Sequence, residues 1–206
     1  MKNRDQVERK TNDRIFWDNK VSISFSKHWN FYGSLSFESQ FDNGFNYSDD
    51  ATVASVLISR FMSPGYLTES LGFEYKPVKY FNMRIGTGTA RQTFVLDTTI
   101  YHNVSTNYGV PIGHTVLNEL AFQVVSNLDK DIAKNTNLKV RYLIFLPYND
   151  PLKMTHRVDA TLTAKVNRLI NVTLNGTMLY DPNTSHKIQA YQSLALGITY
   201  KFPYYR

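Results

Sequence analysis

Residues 190–202 read A-Y-Q-S-L-A-L-G-I-T-Y-K-F, and their alternation decides the fold class. Gln192, Leu194, Leu196, Ile198, Tyr200 and Phe202 form one phase; Tyr191, Ser193, Ala195, Gly197, Thr199 and Lys201 form the other. A period of two belongs to a strand, whose successive side chains point to opposite faces, so this segment has one apolar face and one small or polar face. At roughly 12 residues it outruns the five or six usual in soluble sheets. It suits a tilted membrane strand, which needs about 9 to 11.

Eight upstream segments alternate in the same way, at about residues 15–26, 29–41, 66–76, 80–94, 114–125, 137–146, 157–167 and 170–180. In the third, Leu67, Leu71, Phe73 and Tyr75 oppose Thr68, Ser70, Glu74 and Lys76; Glu69 falls in the apolar phase and is expected at a rim. Gly86 and Gly88 weaken the fourth and permit a bend or a close backbone approach. Residues 51–62 suit a short helix or a strand extension equally well.

Composition narrows the alternatives. The 206 residues contain no cysteine, which removes disulfides and thiolate metal sites, and no run nears the roughly 18 apolar residues of a membrane helix. A mean hydropathy of -0.35 is compatible with a barrel, in which alternate residues face a polar lumen and dilute the signal. The 14 Tyr and 13 Phe fit strand propensity and interfacial aromatic girdles. The net charge of +6 comes from singly scattered cations, which argues for solvation and lumen lining and against a nucleic-acid partner.

Chemistry is sparse. Of His28, His102, His114, His156 and His186, four lie in or beside connections, and Asp159 sits three residues from His156, which on a strand places them on opposite faces. No catalytic triad emerges, so no enzyme is expected. The stretch D-P-N-T-S at 181–185 lacks the Gly and Glu of a calcium loop, and Asp49-Asp50 reads as a solvated loop; no metal or cofactor is expected. The polar phases hold Lys20, Glu38, Glu74, Lys76, Arg84, Glu119, Lys139, Arg141, Arg157, Asp159, Lys165 and Lys201, all expected to face the lumen. Such charges form a plug of ion pairs or line a narrow pore.

Connections alternate between short ones, at 27, 77–79, 126–136 and 168, and long ones, at 42–65, 95–113, 147–154 and 181–189. Short turns on one side and long loops on the other mark an antiparallel up-and-down transmembrane barrel. Nine strands are odd, whereas single-chain bacterial barrels close with an even number. The expectation is therefore a barrel over 15–202 that lacks an odd number of upstream strands and does not close by itself, after a polar segment at 1–14 and before a tail at 203–206. The polar segment has no apolar core of a signal peptide, which the same truncation or processing would explain.

Several motifs in order resemble a Bacteroidetes family, domain of unknown function 3078: F-D-N-G-F-N-Y-S-D-D at 41–50, F-M-S-P-G-Y-L at 61–67, L-G-F-E-Y-K-P at 71–77, T-F-V-L-D at 93–97 and L-G-I-T-Y-K-F at 196–202. The resemblance implies a secreted outer-membrane barrel of about twelve strands and assigns no activity to any residue. Gly197, Tyr200 and Phe202 likewise resemble the C-terminal signal read by the barrel-assembly machinery. The functional expectation is a porin-like barrel in contact with outer-membrane lipid, either a narrow pore or a closed structural barrel that binds another envelope protein. A soluble, lipocalin-like lipid binder would turn the same apolar faces inward.

Overall fold

The structure is a computed structural model that describes residues 13–46, 54–100, 106–167 and 169–198. Lys201, Tyr200, Phe202, Asp49-Asp50, His102 and the tail at 203–206 lie outside the described residues, as does the polar segment up to residue 12. The chain forms thirteen described strands: β1 (Ile15–Ser24), β2 (Trp29–Ser39), β3 (Gly44–Asn46), β4 (Val56–Ser59), β5 (Gly65–Val78), β6 (Phe81–Phe94), β7 (Thr106–Asn107), β8 (Val110–Pro111), β9 (Val116–Ala133), β10 (Thr136–Pro147), β11 (Thr155–Lys165), β12 (Ile170–Asp181) and β13 (Ser185–Ile198). Nine of them make one sheet in chain order, β1-β2-β5-β6-β9-β10-β11-β12-β13, an up-and-down meander with β1 and β13 at its two ends. The pairs β3-β4 and β7-β8 are small separate hairpins inside the two longest connections.

The expected strands are all present, and three connections differ from expectation. The polar link at 126–136 is mostly strand, because β9 continues to Ala133 and turns at Lys134-Asn135. Its polar residues pair across the hairpin: Lys139 bridges Asp129 at 2.9 Å, and the Asn137 amide donates to Asp129 and Asp131, each at 3.0 Å. The connection at 181–189 contracts to residues 182–184, since the Asp181 carboxylate accepts from the Asn183 N–H at 3.0 Å and the Thr184 hydroxyl at 3.1 Å. The undecided segment at 51–62 contains a strand: β4 pairs antiparallel with β3, Phe45 opposite Leu57 and Asn46 opposite Val56.

Two compact units make up the fold. One comprises Ser34–Glu69, Ala90–Asn118 and the chain up to Asn19; the other comprises Lys20–Gly33, Ser70–Thr89 and the chain from Glu119 onward. The first has a small dry core of Val95, Ile100 and Val110, packed by Leu57, Tyr108 and Leu117. Tyr108 and Gly109 both take positive φ, 51° and 85°, as a two-residue hairpin between β7 and β8 requires. That conformation is costly for tyrosine, and the ring offsets it by packing on the core while its hydroxyl donates to the Ile58 carbonyl at 2.9 Å.

In the second unit burial runs opposite to the pattern of a water-soluble sheet. On β5, Ser70 and Glu74 are buried while Leu71 and Phe73 are exposed. Val21 on β1, Leu120 on β9 and Leu194 and Leu196 on β13 present 74%, 63%, 74% and 72% of their surface. Across the described residues, fourteen buried residues are polar or charged and seven are hydrophobic, so the polar phase is the enclosed one. A soluble lipid-binding barrel requires the reverse.

Candidate functional site

The enclosed polar face of the second unit is built around Glu74. Alternation on β5 turns its side chain inward, where it is completely buried, and a buried carboxylate is tolerated only when paired and hydrogen-bonded. Lys20 of β1 donates to one carboxylate oxygen; Lys76 reaches the other at 3.0 Å, and the Asn30 amide of β2 donates to that same oxygen at 3.2 Å. Asn30 is held in turn by the Ser24 hydroxyl. Arg84 on β6, itself buried, lies within electrostatic range of Lys20 and 5.9 Å from the Tyr32 ring centre.

Beside this cluster a chain of hydroxyls links three strands. Tyr32 and Ser70 are 2.9 Å apart, and Ser70 and Thr89 2.8 Å. Gly86 makes room for all three: a Cβ there would lie 2.2 Å from Ser70 Oγ and 2.8 Å from the Tyr32 hydroxyl. Immediately after Gly86 the buried phase of β6 changes. Arg84 and Gly86 are buried at even positions, Thr89, Arg91 and Thr93 at odd ones, and Thr87-Gly88 lie exposed between them. One extra residue in a strand has this effect, as in a β-bulge. The Thr87 carbonyl accepts from the Tyr148 hydroxyl at 2.5 Å.

Farther along the same unit, Arg157 and Asp159 occupy the inward phase of β11. The guanidinium donates to both carboxylate oxygens, at 2.9 and 3.2 Å, and Thr177 donates to Asp159 at 2.8 Å. Arg141 is the register partner of Asp159 on β10 and donates to Asn127 at 3.5 Å; Asn127 donates to Asn82. His156 points to the other face and meets the Tyr142 hydroxyl at 2.9 Å through Nδ1. Its separation from Asp159 follows directly from the alternation.

The remaining expected residues sit apart from these clusters. Glu38, in the first unit, accepts from Arg14 Nε at 2.8 Å and from Arg14 Nη2 at 2.9 Å. Glu119 stands near the start of β9, Lys139 pairs with Asp129, and Lys165 is exposed at the end of β11. Gly197 lies opposite Asn171, whose side-chain oxygen would be 2.3 Å from an added Cβ.

Sequence reasoning missed Asn30, Tyr32, Ser70 and Thr89 as network members, although the first three each stand in a polar phase next to an aromatic one; Thr89 shares the phase of Phe81, Met83 and Ile85 and turns inward only through the change at Thr87-Gly88. It also missed the pair Arg60–Asp97 in the first unit. Arg60 reaches Asp97 at 2.6 Å, the Thr99 hydroxyl and N–H donate to it at 2.6 and 2.9 Å, and Asp97 N–H donates to Ser63 Oγ. The Thr99 hydroxyl first, then the Arg60 guanidinium, hold the Asp97 carboxyl down at about 2. Separated by 37 positions and lying in connections, these two residues carry no periodicity that would join them.

Among the described residues no group of three His, Asp or Glu is placed to hold a metal ion, and no helix is long and apolar enough to cross a membrane. Residues 1–45 match a family model described as "Protein of unknown function (DUF3078)". No curated protein matches. Among solved structures the chain is similar to one described as "NanC porin structure in rhombohedral crystal form", with a TM-score of 0.40 and 11% identity over 92% of this chain and 98% of that one.

Proposed function

We propose that this chain forms the wall of an outer-membrane β-barrel and serves as a narrow, non-enzymatic pore lined by polar and ion-paired side chains. The observation that carries this reading is the inverted burial: enclosed charges and hydroxyls behind an exposed apolar face. Leu138, Leu162, Leu174 and Leu194 stand side by side on β10 to β13, a continuous aliphatic row in an outward phase. Water penalises such a surface, whereas hydrocarbon accepts it, provided that every backbone group is paired within the sheet. Lumen-facing roles for Lys20, Glu74, Lys76, Arg84, Arg141, Arg157 and Asp159 follow from the same assignment. The reading is tested by fractionation and electrophysiology. In cells of its native host the protein should stay with outer membranes after a carbonate wash, and, purified from them, it should migrate differently on gels before and after boiling and conduct ions in planar bilayers. Release into the aqueous fraction would remove the membrane assignment, and a folded barrel without conductance would remove the pore.

A further inference from the structure

The turns β1-β2, β5-β6 and β9-β10 lie at one end of the second unit's strands and are tied into a continuous rim. The His28 carbonyl accepts from the Lys76 N–H at 2.7 Å, the Tyr80 carbonyl from the Asp129 N–H at 2.9 Å, and the Asn135 carbonyl from the Lys165 N–H at 2.8 Å. Toward this rim the outward side chains change character in order. Val21, Ile23 and Leu71 are aliphatic and exposed. Next comes an aromatic cluster, in which the Phe31 ring centre lies 4.4 Å from that of Phe25 and 5.1 Å from that of Phe73. One step nearer the rim, Trp29 packs against Tyr75 at 4.8 Å, and the Lys130 ammonium lies 4.6 Å from the centre of the Tyr80 ring. The rim itself presents Lys27, Lys79, Lys130 and Lys134, all exposed. The acids at this end are engaged elsewhere: Glu74 is buried and holds Lys20 and Lys76, Asp129 pairs with Lys139, and Asp131, in the inward phase of β9, accepts from Asn137. Among the described residues, no carboxylate pairs with the ammonium groups of Lys27, Lys79, Lys130 or Lys134.

We propose that this rim holds the phosphate groups of anionic phospholipids in the membrane leaflet beside it. The inference rests on the membrane reading and names the lipid class; it does not depend on whether the barrel conducts. Aliphatic, aromatic and cationic side chains in that order match the hydrocarbon, interface and headgroup layers of a bilayer. The aromatic belt fixes the depth at which the rim meets the headgroups, and each lysine lays its methylenes along apolar surface while its ammonium reaches a phosphate. Clustered lysines at this depth are drawn to a negatively charged leaflet, and a zwitterionic headgroup offers no net charge to draw them.

The experiment is native mass spectrometry on the protein purified in detergent from its native host's outer membrane, titrated with phosphatidylglycerol or with phosphatidylcholine of the same acyl chains. Phosphatidylglycerol should bind several-fold more tightly. Glutamine at Lys27, Lys79, Lys130 and Lys134 together should abolish that preference, and arginine at the same positions should keep it. Lys153→Gln combined with Lys187→Gln, at the opposite end of the strands, should leave it unchanged. Only the heat-modifiable form of each variant is scored; if the fourfold glutamine variant does not fold, Lys130→Gln and Lys134→Gln singly should each lower the preference. Equal binding of the two lipids, or a preference that survives these glutamine substitutions, overturns the inference and leaves the membrane reading standing. Displacement of the lipid by an equal concentration of inorganic phosphate assigns the rim to a free anion and overturns the lipid assignment. Release of the protein into the aqueous fraction removes the membrane reading, and the inference with it.

Discussion

At the scale of single residues, Glu74 and Asp97 show how differently two paired carboxylates depend on their surroundings. Glu74 is sealed off from water and holds two lysines and an asparagine. Glu74→Ala leaves that group without its acceptor, and the expected loss is roughly 2 to 4 kcal/mol, at or below the range for a fully buried pair because both ammonium groups reach water. Urea unfolding in lipid vesicles measures it, and a loss no larger than that of Lys165→Ala would show that the pairing contributes little. Asp97 sits in a connection, with its carboxyl held at about 2 by Thr99 and Arg60. Its folded value lies below the ordinary carboxylate value of about 3.9, so its stabilising contribution is complete above about pH 4 and is lost as pH falls through about 2. Limited proteolysis of the connection after β6 should therefore be flat from pH 7 to 5 and rise only in strong acid. Asp97→Asn should show the higher rate already at neutral pH.

At the scale of elements, alternation made the strands legible, because a period of two is imposed by the backbone whatever surrounds it. The β9-β10 hairpin was read too short for a physical reason: Asp129, Lys130 and Asp131 look like a loop by composition, yet cross-strand pairs such as Lys139–Asp129 keep them in the sheet. Glycines show the same limit, since their spacing does not reveal what faces them. A Cβ on Gly72 would lie 2.0 Å from the Ile85 carbonyl oxygen and 2.9 Å from Gly86 Cα, whereas one on Gly176 meets nothing within 4 Å. Gly72→Ala should destabilise by more than about 2 kcal/mol and Gly176→Ala by nearly nothing, since backbone cannot yield as a side chain can. Comparable unfolding midpoints for the two variants would contradict that geometry. The apolar face supplies a second contrast. Leu174→Arg should cost about 2 to 4 kcal/mol at mid-membrane. Asn175→Ala, which loses the bonds to Thr161 and Ser193, should cost about 1 kcal/mol.

For the whole molecule, the antiparallel meander was legible because each strand, each turn and the order of both lie along the chain. The clusters at Glu74 and Asp159 were legible only as a list of inward charges, since which cation meets which carboxylate depends on the register between strands distant in sequence. Assembly is expected to depend on Tyr200 and Phe202: alanine at both should abolish accumulation in the outer membrane, and normal amounts of the heat-modifiable form would remove that role. The change of phase at Thr87-Gly88 also reaches beyond its own strand. Before it β6 buries even positions and after it odd ones, so one additional residue shifts the phase of the side chains up to Phe94. Deleting Gly88 would therefore not turn the strand over: Thr89, Arg91 and Thr93 would each move up one place into the phase of Arg84 and Gly86, and the alternation would run unbroken. Deleting Ala90 instead would act as a frameshift in space. Every codon downstream would still be read correctly, yet either Thr89 or the pair Arg91 and Thr93 would have to leave the enclosed side, so the loss of Ala90 should lower the unfolding midpoint far more than the loss of Gly88.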